Sequence, residues 1–205
     1  EIVVQILNQL HKSGIGEHFL AVGTHALFAY ESACGVRLAD EATTTQDIDL
    51  LMDTQKHLLL ASTLESRNES LLSILQKVDS TFDLRDDQLY TAVNASGFEV
   101  DVIRRMAKSG DPHPLQATSA ERDFWVVQVG NGAQMVSAER FAQMVVSASG
   151  HMALMTTLHP VTFSKLKHAL ATSPTRDPLK KSRDALQARA ASQLVQEFLP
   201  HLLSP

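Results

Sequence analysis

Phe19-Leu20-Ala21-Val22-Gly23-Thr24 and, further along, Thr45-Gln46-Asp47-Ile48-Asp49-Leu50-Leu51 are the stretches on which the fold turns. The first is a short apolar run closed by glycine, the form of a buried strand entering a turn. The second sets two aspartates one residue apart. Side chains on a strand alternate with period two, so Asp47 and Asp49 share one face while Ile48, Leu50 and Met52 share the other and supply a core. Adjacent carboxylates repel each other unless a cation lies between them. An all-oxygen pair selects a hard one, Mg²⁺ or Mn²⁺. An isolated Asp-x-Asp is more often a solvated strand edge, so the reading depends on what surrounds it.

Three neighbouring features support it. A glycine between strand and helix lets a ligand approach the backbone, and the helix opening at Ala26-Leu27-Phe28-Ala29-Tyr30 offers free N–H groups to an anion. Thr24 adds a hydroxyl donor for a phosphate, or simply caps that helix. A later alternating run, Phe98-Glu99-Val100-Asp101-Val102-Ile103, places Glu99, Asp101 and Ile103 on one side. The strand-like segment Gln88 to Ala95 joins it through Ser96-Gly97, which is hairpin chemistry. The sheet can therefore bring a third carboxylate beside the first two, Asp101 being the choice and Glu99 its rival. His25, next to the glycine turn, is expected to be a surface histidine.

In this order and spacing, Gly23-Thr24, Asp47-x-Asp49 and Asp101 resemble the signature of the nucleotidyltransferase superfamily, the polymerase-β-like fold. The form is closest to the bacterial minimal and abortive-infection-type members, with Thr24 where serine is commoner and a longer segment from Tyr30 to Thr45, expected to be an inserted loop. The signature covers about half of the chain. The resemblance implies an α+β fold, with a small mixed or antiparallel sheet flanked by helices and then a helical C-terminal half. It implies catalytic and metal-binding roles for Asp47, Asp49 and Asp101, and phosphate binding by Gly23 and Thr24.

Pro160 to His168 and Arg176 to Asp184 read as two further helices. They resemble the helical half of the same enzymes, where a lysine, an arginine turn and a Lys-x-x-Asp pair follow one another. The matching positions are Lys165, Arg176, Lys181 and Asp184, the last two sharing a helix face on which they can pair. The activity implied is metal-dependent transfer of a nucleoside monophosphate from an NTP to a hydroxyl of RNA (tRNA among them), of a protein or of a small molecule. The alternative is a non-catalytic or regulatory nucleotide-binding member of a toxin–antitoxin or phage-defence pair, with the partner toxin or antitoxin as its target.

Composition fits an ordinary intracellular enzyme domain, and the resemblance implies a bacterial, cytoplasmic one. The chain has 205 residues, 44% hydrophobic and 20% charged, enough for one two-part domain or two small ones. A net charge of −5 argues against nucleic-acid binding by bulk electrostatics, while leaving room for RNA held in a local basic patch. The single cysteine, Cys34, forms no intrachain disulfide and suits a reducing compartment. No run has the length of a membrane span and no signal-peptide pattern is visible. The chain begins at Glu1 rather than Met, as a sequence lacking an N-terminal segment would.

Further expectations concern organisation. Helices are expected over Ile2 to Leu10 and, unbroken, over His57 to Val78. A strand is expected over Phe124 to Val129, and a helix beginning at Ser137, with mainly helical structure after it. A boundary near residue 135 separates residues 1–135, the nucleotidyltransferase-like part, from the helical residues 136–205. The scattered histidines lack zinc spacing, and Gly130-Asn131-Gly132 reads as a turn rather than a dinucleotide fingerprint.

Overall fold

The computed structural model of the chain describes residues 1–203. Ile2–Lys12 form helix α1, whose Val3, Val4, Ile6, Leu7 and Leu10 recur at helical spacing and are buried. Strand β1 (Phe19–Val22) is buried along its whole length and runs through a single 3₁₀ turn, Gly23–His25, into α2 (Ala26–Cys34). The expected inserted loop is shorter than the sequence implied. Helix α2 continues to Cys34, and a one-turn helix α3 (Asp40–Thr43) occupies part of the remaining segment before β2.

Strand β2 (Asp47–Met52) alternates as its sequence requires, with Ile48, Leu50 and Met52 fully buried behind Asp47 and Asp49. Two helices come next, α4 (His57–Glu65) and α5 (Leu71–Gln76), where one was expected. The break lies in the polar run Ser66 to Ser70. Asn68 adopts φ 53°, and Ser70 with Ser73 forms a capping box that starts a new helix.

Strands β3 (Asp83–Arg85), β4 (Gln88–Val93), β5 (Glu99–Arg105) and β6 (Val127–Val129) complete a mixed sheet in the order β1-β2-β5-β4-β3, with β6 beside the far end of β5. The expected Phe124 strand begins only at Val127, because Trp125 forms an isolated bridge to Gln116. Strand β5 is central, parallel to β2 and β6 and antiparallel to β4.

Ser137 does not open a helix. It closes α6 (Gly132–Ser137), and the chain then makes a hairpin of β7 (Arg140–Val146) and β8 (Met152–Leu158). The hairpin's period of two is masked in sequence because its outer face is apolar as well, with Met144, Val146, Met152 and Leu154 exposed. Helices α7 (Pro160–Thr172) and α8 (Pro178–Phe198) come after it, each with proline in its first turn.

Tyr30 joins these layers. It is fully buried on α2, meets Phe141 and Phe163 edge-on at 5.7 and 5.4 Å, and donates its hydroxyl to the Leu158 carbonyl at 2.7 Å. Its aromatic burial is worth about 2–3 kcal/mol, and the hydrogen bond keeps the phenol from being stranded in the core. Among the described residues no helix is long and apolar enough to cross a membrane.

Candidate active site

Register assembles the acids. Parallel pairing of β2 with β5 sets Asp47 opposite Glu99 and Asp49 opposite Asp101, so four acidic side chains emerge on one face. Three of them converge: Asp47, Asp49 and Asp101 each offer a carboxylate oxygen, all within 4.8 Å of one another. Glu99 is drawn aside by Arg85, whose Nη1 lies 2.9 Å from its carboxylate. Between the two candidates for third acid, the cluster takes Asp101.

Two hydroxyls hold the outer acids. The Thr45 hydroxyl donates to Asp47, and the buried Thr91, paired with Asp101 across β4 and β5, donates to its Oδ1 at 2.5 Å. Such bonds fix carboxylate rotamers before any ligand arrives. Asp49 between them has no such donor among the described residues. Burial first, then the charges of Asp47 and Asp101, push its carboxyl up to about 7, and burial likewise raises Asp101. Three crowded carboxylates short of compensating charge and rich in oxygen donors fit a divalent hard cation.

The glycine turn has a steric role that its sequence does not show. Antiparallel pairing puts Val22 opposite Asp49, so Gly23 lies directly beside that carboxylate. Gly23 adopts φ +69°, and a Cβ there would overlap Asp49 Oδ2. The absent side chain makes room for the central acid. Thr24 is buried, its Oγ1 accepting from the Gln187 amide at 3.1 Å. His25 is not at the surface. It is 6% exposed, packed against Phe28 and Phe98 with centroids at 5.5 and 6.2 Å, and burial pushes its imidazole down to about 4 despite the nearby Asp47.

The helical half departs from the residue-by-residue expectation. Lys165 is exposed, off the inward stripe of α7 formed by Phe163, Leu166 and Lys167. Lys167 is the lysine turned inward, and it meets Asp184 at 2.9 Å. Asp184, 1% exposed, also receives Arg176 Nε at 2.7 Å, so its partners are Lys167 and Arg176 rather than Lys181. The buried stripe of α8 runs Asp184, Gln187, Ala188, Ala191, with Lys180 exposed one turn before Asp184 and the half-buried Lys181 about 100° round the helix from Lys180. Burial alone would raise the Asp184 carboxyl, but the hydrogen bonds from Arg176 and Lys167 outweigh it and hold it low, while burial lowers the Lys167 ammonium. Lys167 and Lys180 are the cations whose charge reaches Asp49. Breaking a buried pair strands the remaining charge. Asp184→Ala is therefore expected to cost about 3–5 kcal/mol in urea unfolding, well beyond the effect of losing an exposed pair.

An acid triad on adjacent parallel strands, with a glycine turn against its central member and cations supplied by later helices, is the arrangement of a nucleotidyltransferase. The sequence agrees along its whole length: the profile of a family described as nucleotidyltransferase matches residues 1–204, and the chain belongs to that family. A solved structure of the antibiotic-resistance factor ANT(2'')-Ia is a distant likeness at 12% identity and TM-score 0.38, covering 98% of this chain and 91% of that chain. No curated protein matches the chain.

Proposed function

We propose that this enzyme transfers a nucleoside monophosphate from an NTP to a hydroxyl acceptor, using Mg²⁺ or Mn²⁺ held by Asp47, Asp49 and Asp101. The observation that carries the reading is the convergence of those three acids beside Gly23, in a chain of the nucleotidyltransferase family. The bound cation supplies charge neutralisation at the triphosphate and polarises the reacting phosphorus centre. The rest falls to the chain. Thr45 and Thr91 keep Asp47 and Asp101 aimed at the cleft, and Asp101 takes the proton of the attacking hydroxyl. The Gly23–Thr24 turn, which leads into α2, receives the phosphates. Pyrophosphate leaves toward the cations of α7 and α8. In chemistry of this kind positioning and charge neutralisation do most of the work.

Lys180 is the uncommitted cation of this set. Lys167 and Arg176 are committed to Asp184, whereas Lys180 is exposed, makes no ion pair among the described residues, and directs its charge at Asp49. Lys180→Ala is expected to raise the KM for NTP about tenfold, the scale of one charge-assisted hydrogen bond, and Lys181→Ala less than twofold. Steady-state kinetics on both variants separates them, and equal effects would show that only general positive charge matters.

Preservation of the full acid set favours an enzyme over a regulatory module that keeps only the fold. The test is incubation with each α-³²P-labelled NTP, Mg²⁺ and a cell extract. Label entering RNA, protein or a small-molecule fraction with the wild type, and not with Asp47→Ala, is the expected result and identifies the acceptor. Nucleotide binding without transfer to any fraction would favour the regulatory reading.

A further inference from the structure

Gln187 is the one fully buried amide side chain in contact with the signature turn. It comes from the middle of α8, far along the chain from Thr24, and nothing in its sequence neighbourhood marks it. Its Nε2 donates to the Ala42 carbonyl of α3 at 2.7 Å and to Thr24 Oγ1 at 3.1 Å. The Ala42 carbonyl can only accept, so it fixes which way round the amide sits, since the flipped form would press two oxygens together. Both amide hydrogens are thereby spent. Gln187 Oε1 is left buried with no partner among the described residues, a cost the fold carries at this point.

What this arrangement secures is the proton of Thr24. A hydroxyl has one hydrogen to give. With its oxygen accepting from Gln187, the Thr24 hydroxyl hydrogen is directed away from α8 and has no acceptor among the described hydrogen bonds of the protein. Thr24 adjoins Gly23, which borders Asp49, so the free hydrogen belongs to the turn that faces the acid cluster. We propose that Gln187 is a positioning residue for NTP binding: it holds Thr24 as a committed donor to a phosphate oxygen and ties the competence of the turn to the docking of α8. This rests on the nucleotidyltransferase reading above, in which the turn receives the phosphates. It also gives the buried glutamine a role that packing alone does not, since an apolar side chain of the same shape would fill the space without stranding an oxygen.

The experiment is a double-mutant cycle on Gln187→Met and Thr24→Val, with calorimetric Kd values for the α,β-methylene analogues of the four NTPs in Mg²⁺. Binding of Mn²⁺ alone and melting temperatures are measured on the same proteins, and Gln187→Asn serves as a second variant should the methionine protein not fold. Gln187→Met is expected to weaken the best-bound analogue about tenfold with Mn²⁺ binding unchanged. Thr24→Val should weaken it similarly, Thr24→Ser should restore most of the loss, and the double variant should be no worse than Thr24→Val. If Thr24→Val weakens the analogue but Gln187→Met does not, or if the Gln187 effect persists undiminished in the Thr24→Val background, the positioning role is overturned and the phosphate-binding turn stands. If Thr24→Val itself leaves affinity unchanged, both the relay and the assignment of the turn are overturned.

Discussion

Asp49→Asn should abolish nucleotide transfer, by at least a thousandfold, and yet melt at a higher temperature than the wild type when metal is removed by EDTA. Asp49 is the central acid of the cluster, pressed against Gly23 with no hydroxyl donor of its own. Its carboxyl is pushed up to about 7 by burial and by its acidic neighbours. A carboxyl pKa raised above its unfolded value destabilises the fold as pH climbs from about 4, and the penalty is complete once the folded-state group has ionised near 7. At pH 8 the penalty is on the order of 4 kcal/mol, and the neutral amide recovers part of it. Adding Mg²⁺ reverses the order. The wild type gains stability with metal concentration as any protein gains from a ligand bound only when folded, and the Asp49→Asn variant cannot follow. Thermal melts at pH 8, with EDTA and with Mg²⁺, check both halves. A variant that melts below the wild type in EDTA, or remains active, removes Asp49 from the metal site.

Gly23→Ala is expected to reduce transfer by at least two orders of magnitude and to cost about 1–3 kcal/mol of stability. The position has φ +69° and its new Cβ would overlap the Asp49 carboxylate, so backbone strain and displacement of a ligating oxygen arise together. The glycine pattern by itself implies a simpler outcome, in which a side chain at 23 blocks phosphate and spares the metal. In the folded protein both should suffer, and Mn²⁺ titration of Gly23→Ala measures the second effect directly. Gly97 provides the control for strain. Its φ is +81°, but nothing lies within 4 Å of its added Cβ. Gly97→Ala should lose about 1 kcal/mol with normal activity. Comparable activity losses in the two variants would show that Asp49 is not displaced.

The acid triad was legible because strand periodicity is a strict rule. Once Asp47 and Asp49 sit on a strand backed by Ile48, Leu50 and Met52, their common face is determined, and parallel pairing of β5 with β2 brings Asp101 to it. The residues that hold and offset the acids were less visible. Thr91 is placed by register with Asp101, which depends on which strands pair, and Thr45 sits two residues before Asp47, a spacing that signals something only once the strand is known. On α7 and α8 the signature names Arg176 and Asp184, which do meet, but not the lysine that joins them. Lys165 and Lys181 match by sequence, whereas Lys167 lies on the stripe that packing turns inward and the exposed Lys180 is the lysine of α8 whose charge reaches Asp49, neither of which local spacing alone can say. The β7–β8 hairpin was hidden by apolar side chains on both faces, and His25 was misplaced because its burial depends on the distant Phe98 as well as on the local Phe28.

Paired labelling separates nucleotidyl transfer from every other use of an NTP. The protein is incubated with Mg²⁺, a cell extract and the same NTP labelled in parallel at the α- and the γ-phosphate. Attack at the α-phosphorus sends the α-label into the acceptor and releases the γ-label as pyrophosphate, and both events should disappear in Asp47→Ala, Asp49→Asn and Asp101→Ala. Transfer of the γ-label to an acceptor, or transfer of the α-label that survives loss of any one of the three acids, would contradict the site described for this protein.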